Sequence, residues 1–298
     1  RGSADMKNGL AGILEVVRVL NKSGCDFPGE VLVTVYGMHE APAGDSAPLL
    51  ELIEQGPLGD AVLDMEQGHA SEGKVVIMGK GQSIWNVTLR WDGKSCHELN
   101  RPPEADNLLR ASLRVAEKLC EYGRRLARER ADFKYLGAET LFLGQMHYGD
   151  FYNRVPTSCT LQGTRRWHPC RDFEEVDREF DEILQDIDLP QGISMHANWT
   201  FCGESYEVSP DETVVHAIRG AYEAVTGKPV EFAGTSMVLD LNKLVPFAKI
   251  PAVQCGFDTE FAHADHEYVR LSRLLEPCQV ALLTVLNYLN STQGEKRE

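Results

Sequence analysis

The stretch EVLVTVYG, residues 30–37, is followed by PLLELIEQG at 48–56 and DAVLDM at 60–65, and this succession decides the fold class. The outer two are short apolar runs of the kind that form strands, and the middle one repeats its apolar residues at helical spacing. Strand, helix, strand in so short a space predicts an α/β architecture, with a mainly parallel sheet and flanking helices. Ahead of it, Leu10, Ile13, Leu14, Val17 and Leu20 share one face of a helix over 7–20, which Gly24 stops.

The texture changes at 83–94, SIWNVTLRWDGK, where Trp85, Val87, Leu89 and Trp91 alternate with Ile84, Asn86, Thr88 and Arg90. That is the pattern of an antiparallel strand with one covered face. A helix at about 107–130, strands near 140–147 and 157–167, a charged helix over 172–187 and an alternating strand at 192–202 complete an α+β sandwich. The α/β texture returns with SPDETVVHAIRGAYEAVTG from Ser209, which has a serine cap, Pro210 at the first helical position and a closing glycine. A buried strand at 250–258 and a long amphipathic helix over 266–290 follow. The expected organisation is a discontinuous α/β domain, 1–81 and 205–298, interrupted by an inserted domain, 82–204.

Composition narrows the function. The 298 residues are 43% hydrophobic and 25% charged, ordinary for a globular protein, with a formal charge of −15. That charge argues against a nucleic-acid or anionic-membrane surface. No apolar run is long enough for a transmembrane helix. The eight cysteines are scattered without a CxxC pair, which fits reduced thiols and a cytoplasmic location. Sequons at Asn86, Asn198 and Asn290 come without a visible signal peptide.

Asp5, Glu40, Glu66 and His263 each fall at the C-terminal end of an expected strand or in the loop after it, the edge where open α/β sheets bind ligands. Carboxylate oxygens with an imidazole suit zinc or a similar divalent ion.

The opening RGSADMKNG resembles the D-x-K loop of the di-zinc aminoacylase, acetylornithine deacetylase and succinyl-diaminopimelate desuccinylase family, which includes bacterial glutamate carboxypeptidases. The resemblance continues in family order through MHEAP, DAVLDMEQG, GKSCHELNRPP, NRVP, TRRWHP, AGTSM and AHADHEYV. It implies a zinc-exopeptidase-like fold whose inserted domain serves as lid and dimerisation domain. It also implies hydrolysis of the amide bond of an N-acylated amino acid or short peptide by metal-activated water, in a homodimer. Two zinc ions are implied for the full-length protein, with cobalt or manganese as substitutes. The alternative is a catalytically silent homologue that binds such ligands or assembles as a dimer.

By position, Asp5 matches the carboxylate that bridges both metals. Glu40, 35 positions later as in the family, matches a ligand of one metal, Glu66 a ligand of the other, and His263 the late histidine ligand. The family's H-x-D segment, which holds the remaining histidine, should precede Arg1, so an N-terminally truncated fragment is expected. His39 stands where the family has its proton-transferring glutamate; imidazole is a competent base near neutrality, and nearby cations should push its pKa down. His97 matches a lid histidine that reaches across the dimer to the developing oxyanion. Asn153 and Arg166 match the pair that holds the substrate carboxylate, with Arg165 as the rival, since alternation turns only one of the two inward. Thr235 matches a substrate loop, but Met237 replaces a frequent aspartate, so substrate preference does not carry over.

Overall fold

The computed structural model describes residues 1–40, 46–66, 73–257 and 262–295. The chain divides into two compact units, Arg1–Gly79 with Tyr206–Glu298, and Lys80–Ser205.

The first unit holds helices α1 (Asn8–Ser23), α2 (Ala47–Gln55), α5 (Thr213–Thr226), α6 (Leu241–Lys243) and α7 (Leu275–Glu295). Its strands are β1 (Val62–Asp64), β2 (Lys74–Gly79), β7 (Tyr206–Glu207), β8 (Glu231–Thr235) and β9 (Ala252–Gln254). β1 pairs in parallel with β9, while β2 lies between antiparallel β7 and parallel β8. The core joins Ile77 of β2, Val215 and Ile218 of α5, Val253 of β9 and Val280 of α7. α1 comes very close to its neighbours. A Cβ on Gly9 would stand 2.4 Å from the Met65 carbonyl oxygen, and one on Gly12 2.6 Å from Phe257 Cζ. Gly24 ends the helix in the left-handed region at φ 65°, the stop that the sequence suggests.

The second unit is an antiparallel sheet in the order β4 (Thr140–Tyr148), β5 (Ser158–Trp167), β3 (Gly81–Trp91), β6 (Ile193–Gly203), with helices α3 (Asp106–Glu129) and α4 (Phe173–Gln185). β3 buries every second residue. Its Trp85, Val87 and Leu89 meet Leu108, Val115 and Leu119 of α3 and Phe180 of α4. Each such side chain contributes roughly 1.5–3 kcal/mol of burial. All four tryptophans (85, 91, 167 and 199) are in this unit.

Three expectations need correction. Residues 30–37 form no ladder with any described strand, and Val31, Leu32, Val33 and Val35 are exposed. Strand propensity expresses packing on neighbours rather than a backbone preference, and no described neighbour pairs with them. The helix expected from Ser209 starts at Thr213 instead, because Ser209 makes a turn: its Oγ accepts from Asp211 N at 3.2 Å and its carbonyl from Glu212 N at 3.1 Å. The last helix starts at Leu275, nine residues late, with Pro277 in its first turn. There the missing N–H costs nothing, whereas a helix begun at 266 would place the proline inside. Among the described residues no helix is long and apolar enough to cross a membrane.

Candidate metal centre

Asp5 precedes α1, Glu40 follows the irregular segment 31–39, and His263 lies in the loop before α7. The fold brings them together. His263 Nε2 is 2.8 Å from Asp5 Oδ2 and 3.0 Å from Glu40 Oε1. One ligand atom from each lies within 4.8 Å of the other two. Met38 and His263 both take a left-handed backbone, with φ of 67° and 65°. Such strain persists in non-glycine residues only where surrounding contacts enforce it, and it concentrates at functional sites.

The Asp5 turn is fastened from the far end of the chain. Glu267 Oε1 accepts from Ala4 N at 2.7 Å and Asp5 N at 3.1 Å, and Ser3 Oγ donates to the Glu267 carbonyl at 3.2 Å. The hydrogen bond from Asp5 N, then that from Ala4 N, holds the Glu267 carboxyl down at about 2.

Glu66 lies just beyond β1, where the β1–β9 pairing continues through Cys255 N to Asp64 O (2.7 Å) and Phe257 N to Glu66 O (3.2 Å). It is buried, at 7% exposed. Burial first, and then the Asp64 carboxyl, push it up to about 9, and burial pushes Asp64 up to about 7. Among the described residues, Glu66 Oε2 and Asp64 Oδ2 are buried without a hydrogen-bond partner.

His39 stands between carboxylates. Its Nδ1 is 2.8 Å from Asp240 Oδ1 and its Nε2 is 3.5 Å from Glu66 Oε1. The Asp240 hydrogen bond outweighs burial and raises the imidazole to about 9. Asp240 itself is lowered: burial opposes its charge, but hydrogen bonds from His39 and Tyr36 prevail. The expected downward push on His39 therefore meets an opposing carboxylate. No motif pointed to Asp240, because it is brought in from a distant turn.

A divalent cation fits these residues. Two buried carboxyl oxygens with no partner among the described residues, and a Glu66 raised despite the imidazole beside it, suit a hard-ligand site, and a divalent cation there would reverse the shift.

In the second unit the structure brings His97 and Asn153 together. Asn153 Nδ2 lies 3.2 Å from His97 Nε2, and His97 forms a β-bridge with Arg154. Arg165 and Arg166 point to opposite faces of β5. Arg165 is fully buried and meets Glu139 Oε2 at 2.5 Å, in a cluster with Arg130 and Arg171. Arg166 is half-buried, across from Gln82 of β3 and Thr140 of β4. In the first unit, Thr235 is buried at the end of β8, and its Oγ1 accepts from Met237 N at 3.1 Å.

Residues 1–287 match the profile of Peptidase family M20/M25/M40. A succinyl-diaminopimelate desuccinylase of Rickettsia bellii (strain RML369-C) is 22% identical over 98% of this chain and 73% of its own length. A tripeptidase of Staphylococcus aureus superposes with a TM-score of 0.68 at 17% identity, over 96% of this chain and 71% of that one. An M20 family metallo-carboxypeptidase of Sulfolobus solfataricus gives 0.65 at 18% identity, over 97% and 77%. With the family profile spanning almost the whole sequence, this chain belongs to peptidase family M20/M25/M40 and is a hydrolytic enzyme that acts on amide bonds.

Proposed function

We propose that the substrate is an N-acylated amino acid or short peptide with a free carboxylate, and that the protein is a zinc-dependent cytoplasmic homodimer joined through the Lys80–Ser205 unit. The observation that carries the site is the convergence of Asp5, Glu40 and His263. These three would hold one cation, and Asp5 with Glu66 a second. Bound there, the cations would lower the pKa of a water and polarise the scissile carbonyl.

The chain's own residues supply the rest. His39 takes the proton from water as the new O–C bond forms, then returns it to the amine nitrogen as the C–N bond breaks. Asp5 and Glu66, each with a side chain 7% exposed, would balance the cations' charge where burial makes charge costly. His97 is assigned to the developing oxyanion. Asn153 and Arg166 are assigned to the substrate carboxylate, which suits the planar fork of arginine. The burial of Arg165 against Glu139 supports giving that task to Arg166. Thr235 shapes the substrate loop through its bond with Met237 N. The absence of a CxxC pair supports a reducing compartment.

Metal analysis after dialysis, with hydrolysis of N-acetyl and N-succinyl amino acids and dipeptides, tests this reading. The ligand sets predict one tightly held zinc per chain and a second held weakly. Unchanged zinc content in an Asp5→Ala, His263→Ala double variant would overturn the site.

A further inference from the structure

Asp240 lies in a distant turn and points its carboxylate at Nδ1 of His39, the ring nitrogen other than the one that meets Glu66. The turn is firmly built: Leu239 N donates to Asn242 Oδ1 at 2.8 Å, and Lys243 N and Leu244 N donate to the Asp240 carbonyl at 2.9 and 3.0 Å. The Asp240 side chain is 13% exposed, and the Tyr36 phenol donates to the same carboxylate. Only one ring nitrogen of His39 meets it. Nδ1 is 2.8 Å from Asp240 Oδ1, while Nε2 looks the other way, 3.5 Å from Glu66 Oε1.

We propose that Asp240 is a positioning residue: it keeps the hydrogen of neutral His39 on Nδ1 and aims Nε2 at the Glu66 side of the site, where the proton is taken and returned. The proposal rests on the reading of His39 as the proton-transferring group. A carboxylate accepts only, so the ring nitrogen facing Asp240 has to be the donor, and the lone pair stays on Nε2. When Nε2 gains a proton from water, the positive charge appears on a ring already in contact with Asp240. Tyr36 occupies part of the carboxylate and limits how Asp240 can turn. An asparagine at 240 could present its amide NH₂ instead and so favour the wrong tautomer.

The test uses the zinc-loaded protein and hydrolysis of N-acetyl amino acids. His39→Ala should cost on the order of 10²–10⁴ in kcat, and Asp240→Asn a similar factor with KM and zinc content unchanged. Asp240→Glu should recover part of that loss. The double variant His39→Ala, Asp240→Asn should be no slower than His39→Ala alone. Independently of turnover, long-range ¹⁵N–¹H spectra of the zinc-free protein, with the imidazole neutral, should place the His39 proton on Nδ1 and show a tautomer mixture in Asp240→Ala. A crippled His39→Ala beside an unimpaired Asp240→Asn would overturn the positioning role while leaving the base. His39→Ala within a few-fold of wild type would instead remove the base reading. Additive losses in the double variant, zinc loss in Asp240→Asn, or an unchanged tautomer in Asp240→Ala would each overturn the proposal.

Discussion

Arg165 and Arg166 are neighbours of the same type, yet they should respond to mutation in different ways. Truncating Arg165 leaves Glu139 buried beside a lost partner and should destabilise the protein by about 3–5 kcal/mol, measurable by urea unfolding. Arg166→Ala should leave the unfolding midpoint nearly unchanged and weaken carboxylate-bearing substrates by roughly 2–5 kcal/mol, with amidated analogues much less affected. Equal losses for both kinds of substrate would rule out the anchor. Glu267 makes a pH prediction. Its carboxyl titrates below the ordinary value, so its hold on the Asp5 turn is present above about 4.5 and is lost as pH falls toward about 2. Glu267→Gln should remove this acid step, followed by amide exchange at Ala4 and Asp5. The candidate ligands Asp5, Glu40 and His263 were legible because short motifs carry them. Asp240 and Asp64 were not, since their importance comes from burial and long-range proximity that no local spacing encodes.

At the scale of elements, strict alternation was read correctly. Residues 83–94 announce β3 because one face is packed and the other is not, and the two-residue period survives in the sequence. The run at 30–37 has the same propensities without that outcome, because strand formation needs a partner and composition cannot say whether one is there. Helix bounds failed where single residues decide them, at Ser209 and Pro277. Contact distance was equally invisible: nothing in NGLAG shows that α1 lies against the Met65 carbonyl. Gly9→Ala should therefore destabilise by about 1–3 kcal/mol by forcing α1 away from that carbonyl, seen as a lowered urea midpoint with the slope unchanged.

For the whole molecule, each unit has its own hydrophobic cluster. Val215 lies in one and Leu119 in the other, both fully buried. Leu119→Ala should cost about 2–5 kcal/mol in its own unit, and Val215→Ala should weaken the unit that carries the candidate metal ligands. Far-UV circular dichroism records both losses. Because every indole belongs to Lys80–Ser205, emission excited at the red edge of the absorption band follows the melting of that unit alone. A Val215→Ala defect would then appear in dichroism while the fluorescence curve stays in place, and a protein judged intact by its emission could already have lost the half that holds Asp5 and His263. Tyrosine absorbance, from Tyr36, Tyr206 and Tyr222 among others, is the near-ultraviolet signal that does reach the half with Asp5 and His263.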